Sequence, residues 1–264
     1  MTKEVATADW KEALGKQIAV AAAQKPETSG VPHISLKHGR MTINDTALPG
    51  DEVQCIILAS TLERTWFDRP YDPDDIGPPE CFALGAKAAG LVPHENVVAP
   101  PSNSCKACPM AEFGTARQGK GPACKTKLRL CVMPVTSDPT PGQISAEDAE
   151  IAILKVSPTS VVNFNGLGGA GKKPGYEVAL ANQGVTPWAV ISKVMIRPHN
   201  KKMHEITVEL VKPLGKDELL AAAYGKSKVG EEAVLTPYTY EDDGSTPAAP
   251  DVGDGPSAEG GAKY

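Results

Sequence analysis

The apolar positions change period several times along the chain. Residues 9–24 carry Trp10, Ala13, Leu14, Ile18 and Ala21 at helical spacing behind Asp9, a capping residue type. They predict a short helix that Lys25-Pro26 ends. From residue 33 the period drops to two. His33–Lys37 and Met41–Ile43 alternate across a His38-Gly39 turn, Pro49-Gly50-Asp51 turns the chain again, and Val53–Ser60 is a β-rich run. Further strands are predicted at Lys127–Val135, Glu150–Val156, Val185–Arg197 and His204–Val211, with short helices at 176–183 and 216–224. Several short strands, a helix near each end and one long insertion predict a mainly β chain of the α+β class. The leading architecture is an antiparallel β-barrel, the open Greek-key barrel of the OB type.

The insertion breaks the pattern. Residues 64–126 hold Pro70, Pro73, Pro78, Pro79, Pro93, Pro100, Pro101, Pro109 and Pro122 with glycines between them. A segment that long without regular structure needs something to organise it. Four of the six cysteines lie there: Cys81, Cys105, Cys108 and Cys124. Cys105-Lys106-Ala107-Cys108 is a C-x2-C knuckle. Four thiolates enclose a tetrahedral Zn²⁺ with no position left open, so such a site is structural and supplies folding energy to its loop. Single outer ligands depart from the two-knuckle zinc ribbon. Disulfides, a redox knuckle and His94 as a substitute ligand stay open as alternatives. Cys55 and Cys131 sit inside apolar strand runs and read as buried hydrophobes.

Composition adds two points. The 25 glycines and 24 prolines far exceed the share of a helical bundle, and aromatics are only 5%. The start, Met1-Thr2-Lys3-Glu4, has no basic and apolar regions of a leader, and no apolar run reaches the roughly 18 residues of a membrane span. We therefore expect a soluble, cytoplasmic protein. The net charge of −5 is unevenly spread. Glu241, Asp242, Asp243, Asp251, Asp254 and Glu259 face only Lys263 in the last stretch, which predicts a disordered acidic tail at 241–264. The expected organisation is one domain over 1–240, with the metal-binding insertion at 70–126, followed by that tail.

Candidate chemistry follows from the cations. Lys120, Lys125, Lys127 and Arg129 lie at or next to a predicted strand, the last three at period two and so on one face. Lys193, Arg197, Lys201 and Lys202 form a second cluster. Trp66, Phe82 and Phe113 lie near the first. Cations that follow a phosphate backbone and rings that stack on bases are what single-stranded nucleic acid binding requires. The bland alternative is a solvated charged face with the rings in the core. Gly166–Lys173 nearly matches a phosphate-binding loop, but Lys173 stands where a hydroxyl must hold Mg²⁺, and Pro174 follows where a helix must start. We read 166–175 as a flexible loop. No carboxylate pair, triad or open metal site is visible. Asp72, Asp74 and Asp75 read as turn residues, so a non-catalytic protein is expected.

The block from Cys81-Phe82-Ala83 through Cys105-Lys106-Ala107-Cys108-Pro109, Glu112-Phe113-Gly114-Thr115 and Gly119–Lys125 to Arg129-Leu130 resembles a family of bacteriophage-encoded single-stranded DNA-binding proteins. Ile34–Arg40, Leu48-Pro49-Gly50, Tyr71-Asp72, Val156–Ser160 and Pro187–Val190 extend the resemblance over about 10–211. It implies an OB-like barrel, a four-cysteine zinc insertion and single-stranded DNA as ligand in phage replication or recombination. It also implies the host cytoplasm as location. Two departures stand out: Leu128-Arg129 replaces a pair of arginines, and the chain ends Gly261-Ala262-Lys263-Tyr264 rather than in acids and Phe. The acidic tail is the expected contact for replication or recombination proteins. The competing expectation is a zinc-stapled interaction module of the replisome without direct DNA binding.

Overall fold

The computed structural model describes residues 31–238 except 38, 44–45, 71–76, 118, 136–137, 148, 167–172 and 200–201. The expected N-terminal helix, the acidic tail, Asp72, Asp74, Asp75 and most of the Gly-rich loop lie outside the described residues.

The strands are β1 (His33–Lys37), β2 (Arg40–Ile43), β3 (Thr46–Ala47), β4 (Glu52–Trp66), β5 (Cys81–Gly85), β6 (Lys125–Pro134), β7 (Ala152–Val156), β8 (Val190–His199) and β9 (Lys202–Pro213). The helices are α1 (Pro141–Ser145), α2 (Val161–Asn165), α3 (Tyr176–Ala181) and α4 (Asp217–Val234). The strands form one sheet in the order β3-β2-β1-β7-β6-β4-β8-β9. All pairs are antiparallel except β1 with β7. The mainly β expectation holds, and the sheet is a curled, open half-barrel.

β4 is the spine. One edge pairs with β6 over Cys55–Thr65, while the other pairs with β8 over Glu52–Cys55 and with β5 over Leu62–Trp66. A bulge between Ile57 and Ala59 bends it. The two ends of the sheet approach each other where the β1–β2 turn meets β9. Gly39 has φ +76°, and a side chain there would run into the His204 ring. Only glycine meets both demands at once.

Two apolar layers result. The concave face gathers Cys55, Ile57, Leu62, Leu128, Leu130, Val132, Leu154 and Val156. The convex face gathers Ile56, Leu58, Cys131, Met133 and Ile153 against α4. Both Cys55 and Cys131 are buried there, as small hydrophobes. Helix α4 buries Leu219, Ala223, Ser227, Gly230, Ala233 and Val234, a stripe at spacing three and four. At Gly230 the helix backbone lies so close that an added methyl would stand 2.8 Å from Leu58 Cβ. Burial on both faces explains why β4 and β6 carry long apolar runs.

The pattern reading missed β3, β5, α1 and α2 and placed the ends of β4, β8 and α4 differently. β4 runs on to Trp66, because β5 and β6 supply backbone partners on both edges where Glu63 and Arg64 interrupt the apolar run. β5 lies inside the proline-rich segment. α4 extends to Val234 rather than 224, its small residues favoured by the close approach to the sheet.

Candidate metal centre and basic strand face

Among the described residues, 86–124 connect β5 to β6 with one short 3-10 turn, Pro109–Ala111. Backbone bonds tie this loop together at its cysteines. Cys105 N donates to Leu91 O at 3.1 Å, Ala111 N to Cys108 O at 3.0 Å, and Cys124 N to Met110 O at 2.7 Å. Thr115 is a hub: its hydroxyl donates to Glu112 O at 2.7 Å and accepts from Ala123 N at 2.9 Å. Gly114 N donates to Lys120 O and Gly121 O, closing a small hairpin.

These ties bring all four predicted ligands into one cavity at the end of the concave face. Cys81, Cys105, Cys108 and Cys124 line it with Arg64, Trp66, Phe82, Ala83, Pro93, Pro101 and Ser102. Cys81 and Cys105 are buried, Cys108 and Cys124 half-buried, and all four are free thiols. Burial pushes the Cys81 thiol up to about 12, and negative charge on Cys105, Cys124 or Cys108 pushes the same way. Burial likewise raises Cys124 to about 11, against the opposing charge of Arg64. Four thiolates here repel one another unless a cation joins them. The thiols share a cavity rather than a coordination sphere: among the described residues no three His, Cys, Asp or Glu side chains converge enough to hold a metal ion. The donor set is nevertheless one that zinc takes, four cysteine sulfurs. His94 is not among the lining residues. Its ring stacks on Phe82 at 4.7 Å, and Nδ1 accepts from Asn96 N at 3.1 Å.

The convex face beside this cavity carries the first cation cluster. Lys125, Lys127 and Arg129 pair with Thr65, Glu63 and Thr61 of β4, so they share one face as their period required. They do not share one environment. Lys125 and Lys127 are half-buried. Arg129 is 5% exposed, and Glu63 opposite Lys127 is fully buried. Arg129 Nε and Nη2 donate to Glu63 Oε1 at 2.9 and 2.6 Å, and Nη1 donates to Thr236 O at 2.6 Å, beyond the end of α4. The outward phosphate-binding role expected of Arg129 is corrected to a structural one: a buried cation that neutralises Glu63 and caps the helix C-terminus.

Tyr238 closes this network from above. Its hydroxyl donates to Glu63 Oε1 at 2.7 Å and accepts from Lys155 Nζ at 2.9 Å, while its ring lies 5.1 Å from the Arg129 guanidinium carbon and edge-on to Phe82. Burial works to raise the Glu63 pKa, but Lys155, Arg129 and the hydrogen bonds outweigh it and hold the carboxyl below its ordinary value. Burial draws the Lys155 ammonium down to about 8 despite Glu63. Glu63, Lys155 and Tyr238 had no signature in the sequence.

The remaining predicted residues separate. Phe82 is 1% exposed and packs with Cys81, Val97, Trp66 and Tyr238, so it offers no stacking face to solvent. Trp66 is half-buried at the cysteine cavity. Phe113 is 86% exposed at the loop tip. Lys120 is exposed in the same hairpin, and Lys125 Nζ stands 3.3 Å from where a side chain at Gly121 would begin. Lys193 pairs with Glu209 across β8–β9 and lies 3.7 Å from Glu52, while Arg197 pairs with Glu205. Lys193 pairs with Gln54 and Lys125 with Thr65, at opposite ends of β4, roughly 36 Å of strand apart at ~3.3 Å per residue. Lys125 and Lys193 are therefore not on facing walls of one groove. Lys202 opens β9, its side chain outside the described residues, as Lys201 is.

No family model, no curated protein and no solved structure matches the chain. No helix among the described residues is long and apolar enough to cross a membrane.

Proposed function

We propose that the protein is a non-catalytic single-stranded DNA-binding protein with an OB-like half-barrel and a zinc-stapled loop. The observation that carries this reading is the continuity of Phe113, Lys120, Lys125 and Lys127. An exposed ring at the loop tip joins, through the Gly114–Lys120 hairpin, to the half-buried Lys125 and Lys127 of β6. Rings stack on bases and lysines follow the phosphates. Arg129 and Phe82 hold that surface up from beneath rather than touching the ligand.

Zinc bound by Cys81, Cys105, Cys108 and Cys124 supplies no reaction, only a fixed loop. The phage replication or recombination setting rests on the resemblance of the Cys81–Arg129 block. Zinc-replete protein should bind oligo-dT with an affinity that falls steeply with salt, by a slope of roughly −0.7 per phosphate contact. Absence of salt-sensitive binding would refute the reading.

A second reading is an interaction module of the replisome that binds no DNA. The observation that favours it is that Arg129, Lys193 and Arg197 all face glutamates. It predicts a partner captured by the full chain and lost on removal of 241–264.

A further inference from the structure

Arg64 belongs to none of the candidate sets read from the sequence. It lies on β4 opposite Ala83 of β5 and Thr126 of β6, on the face that carries Trp66 and Cys81. Its half-buried side chain lines the cavity of the four cysteines. Nη1 donates to Cys105 O at 2.6 Å, while Nε is buried without a hydrogen-bond partner. Among the described residues no carboxylate pairs with it. The preceding residue of β4 shows the contrast, since Glu63 has Arg129 as its countercharge.

A guanidinium half withdrawn from water, with a buried Nε that has no acceptor, is stabilised by a nearby anion. Neutral thiols do not provide one. Four thiolates on one divalent cation carry a net double negative charge, and that charge would lie in the cavity Arg64 lines. We infer that Arg64 is the countercharge of a four-thiolate zinc centre and the residue that positions its Cys105–Cys108 knuckle through the Cys105 carbonyl. The inference rests on the zinc reading. Arg64 touches no DNA in this account. It acts through the ligands, as residues around a metal's immediate ligands do when they set its affinity.

The test is zinc competition against a chromophoric chelator with the full-length protein, as wild type, Arg64→Gln and Arg64→Lys. Thr126→Asp is the fourth protein. It sets a carboxylate beside Arg64 in register and draws its charge away without touching the arginine. Wild type should hold one zinc. Arg64→Gln should bind it roughly 10–100-fold more weakly, Arg64→Lys should recover much of the loss, and Thr126→Asp should also weaken binding. Circular dichroism of the zinc-loaded proteins should coincide. Zinc held equally by wild type and Arg64→Gln would overturn the inference and leave the zinc reading standing. So would Arg64→Lys as weak as Arg64→Gln, because the charge would then not be the cause. If Arg64→Gln fails to fold, Thr126→Asp decides: unchanged affinity overturns the inference. Wild type that binds no zinc removes the zinc reading itself, and the inference with it.

Discussion

Side chains that share one strand face do different work when something else covers part of it. Lys125, Lys127 and Arg129 alternate as their sequence requires, yet Arg129 lies under the end of α4 and Tyr238 while the lysines do not. Their replacement should therefore separate two properties. Lys125→Ala with Lys127→Ala should lower the salt slope of oligo-dT binding by about 1.4 and leave the melting temperature nearly unchanged. Arg129→Ala should destabilise the fold by about 3–5 kcal/mol, because it strands a buried carboxylate; chemical denaturation measures it. Phe113→Ala should cost about 1–3 kcal/mol of DNA affinity and no stability, since the ring is 86% exposed. The Glu63 carboxyl has a lowered folded pKa, so its contribution to stability is full above the ordinary glutamate value of 4.5 and is lost as pH falls through the folded value. Glu63→Gln should remove that acid limb from a plot of stability against pH.

At the scale of elements, the sequence told more about strands than about what lies on them. The pattern located β1, β2, β6, β7 and β9 well, β6 and β7 as apolar runs buried on both faces and the outer strands by their alternation. It stopped β4 at Ser60, because Glu63 and Arg64 break the apolar run; their partners, Arg129 and the cysteine cavity, are distant in sequence. It missed β5 because proline and glycine surround five residues whose one strand partner among the described residues is β4. It stopped α4 early because Gly225, Ser227 and Gly230 are weak helix formers, and only the contact with Leu58 shows why Gly230 is small. Gly230→Leu should therefore destabilise by about 1–3 kcal/mol through overpacking, read by thermal melting. The cysteine spacing predicts a shared metal site; the four thiols line one cavity, but among the described residues no three converge enough to hold a metal ion. Arg64 beside them was not legible, since an arginine in a strand gives no hint of the face it occupies. Chelation of zinc should speed amide exchange across 86–124 and leave β4, β6 and β7 protected, because those strands hold their own ladder and core.

For the whole molecule, the half-barrel places the cysteine cavity on its concave side and the lysine strip on its convex side, with β4, β5 and β6 common to both. A loop fixed by metal would thus set the position of Phe113 and Lys120 relative to Lys125 and Lys127. Lys193 and Arg197 of the second cluster lie beyond the other end of β4, paired with glutamates, and take no part in that surface. The measurement that tests this account most directly is a salt titration of zinc-replete protein against a fluorescent oligo-dT and a matched duplex. The account predicts tight binding that prefers the single strand and weakens linearly with log salt. Binding to neither ligand at low salt, or equal binding to both, would contradict it.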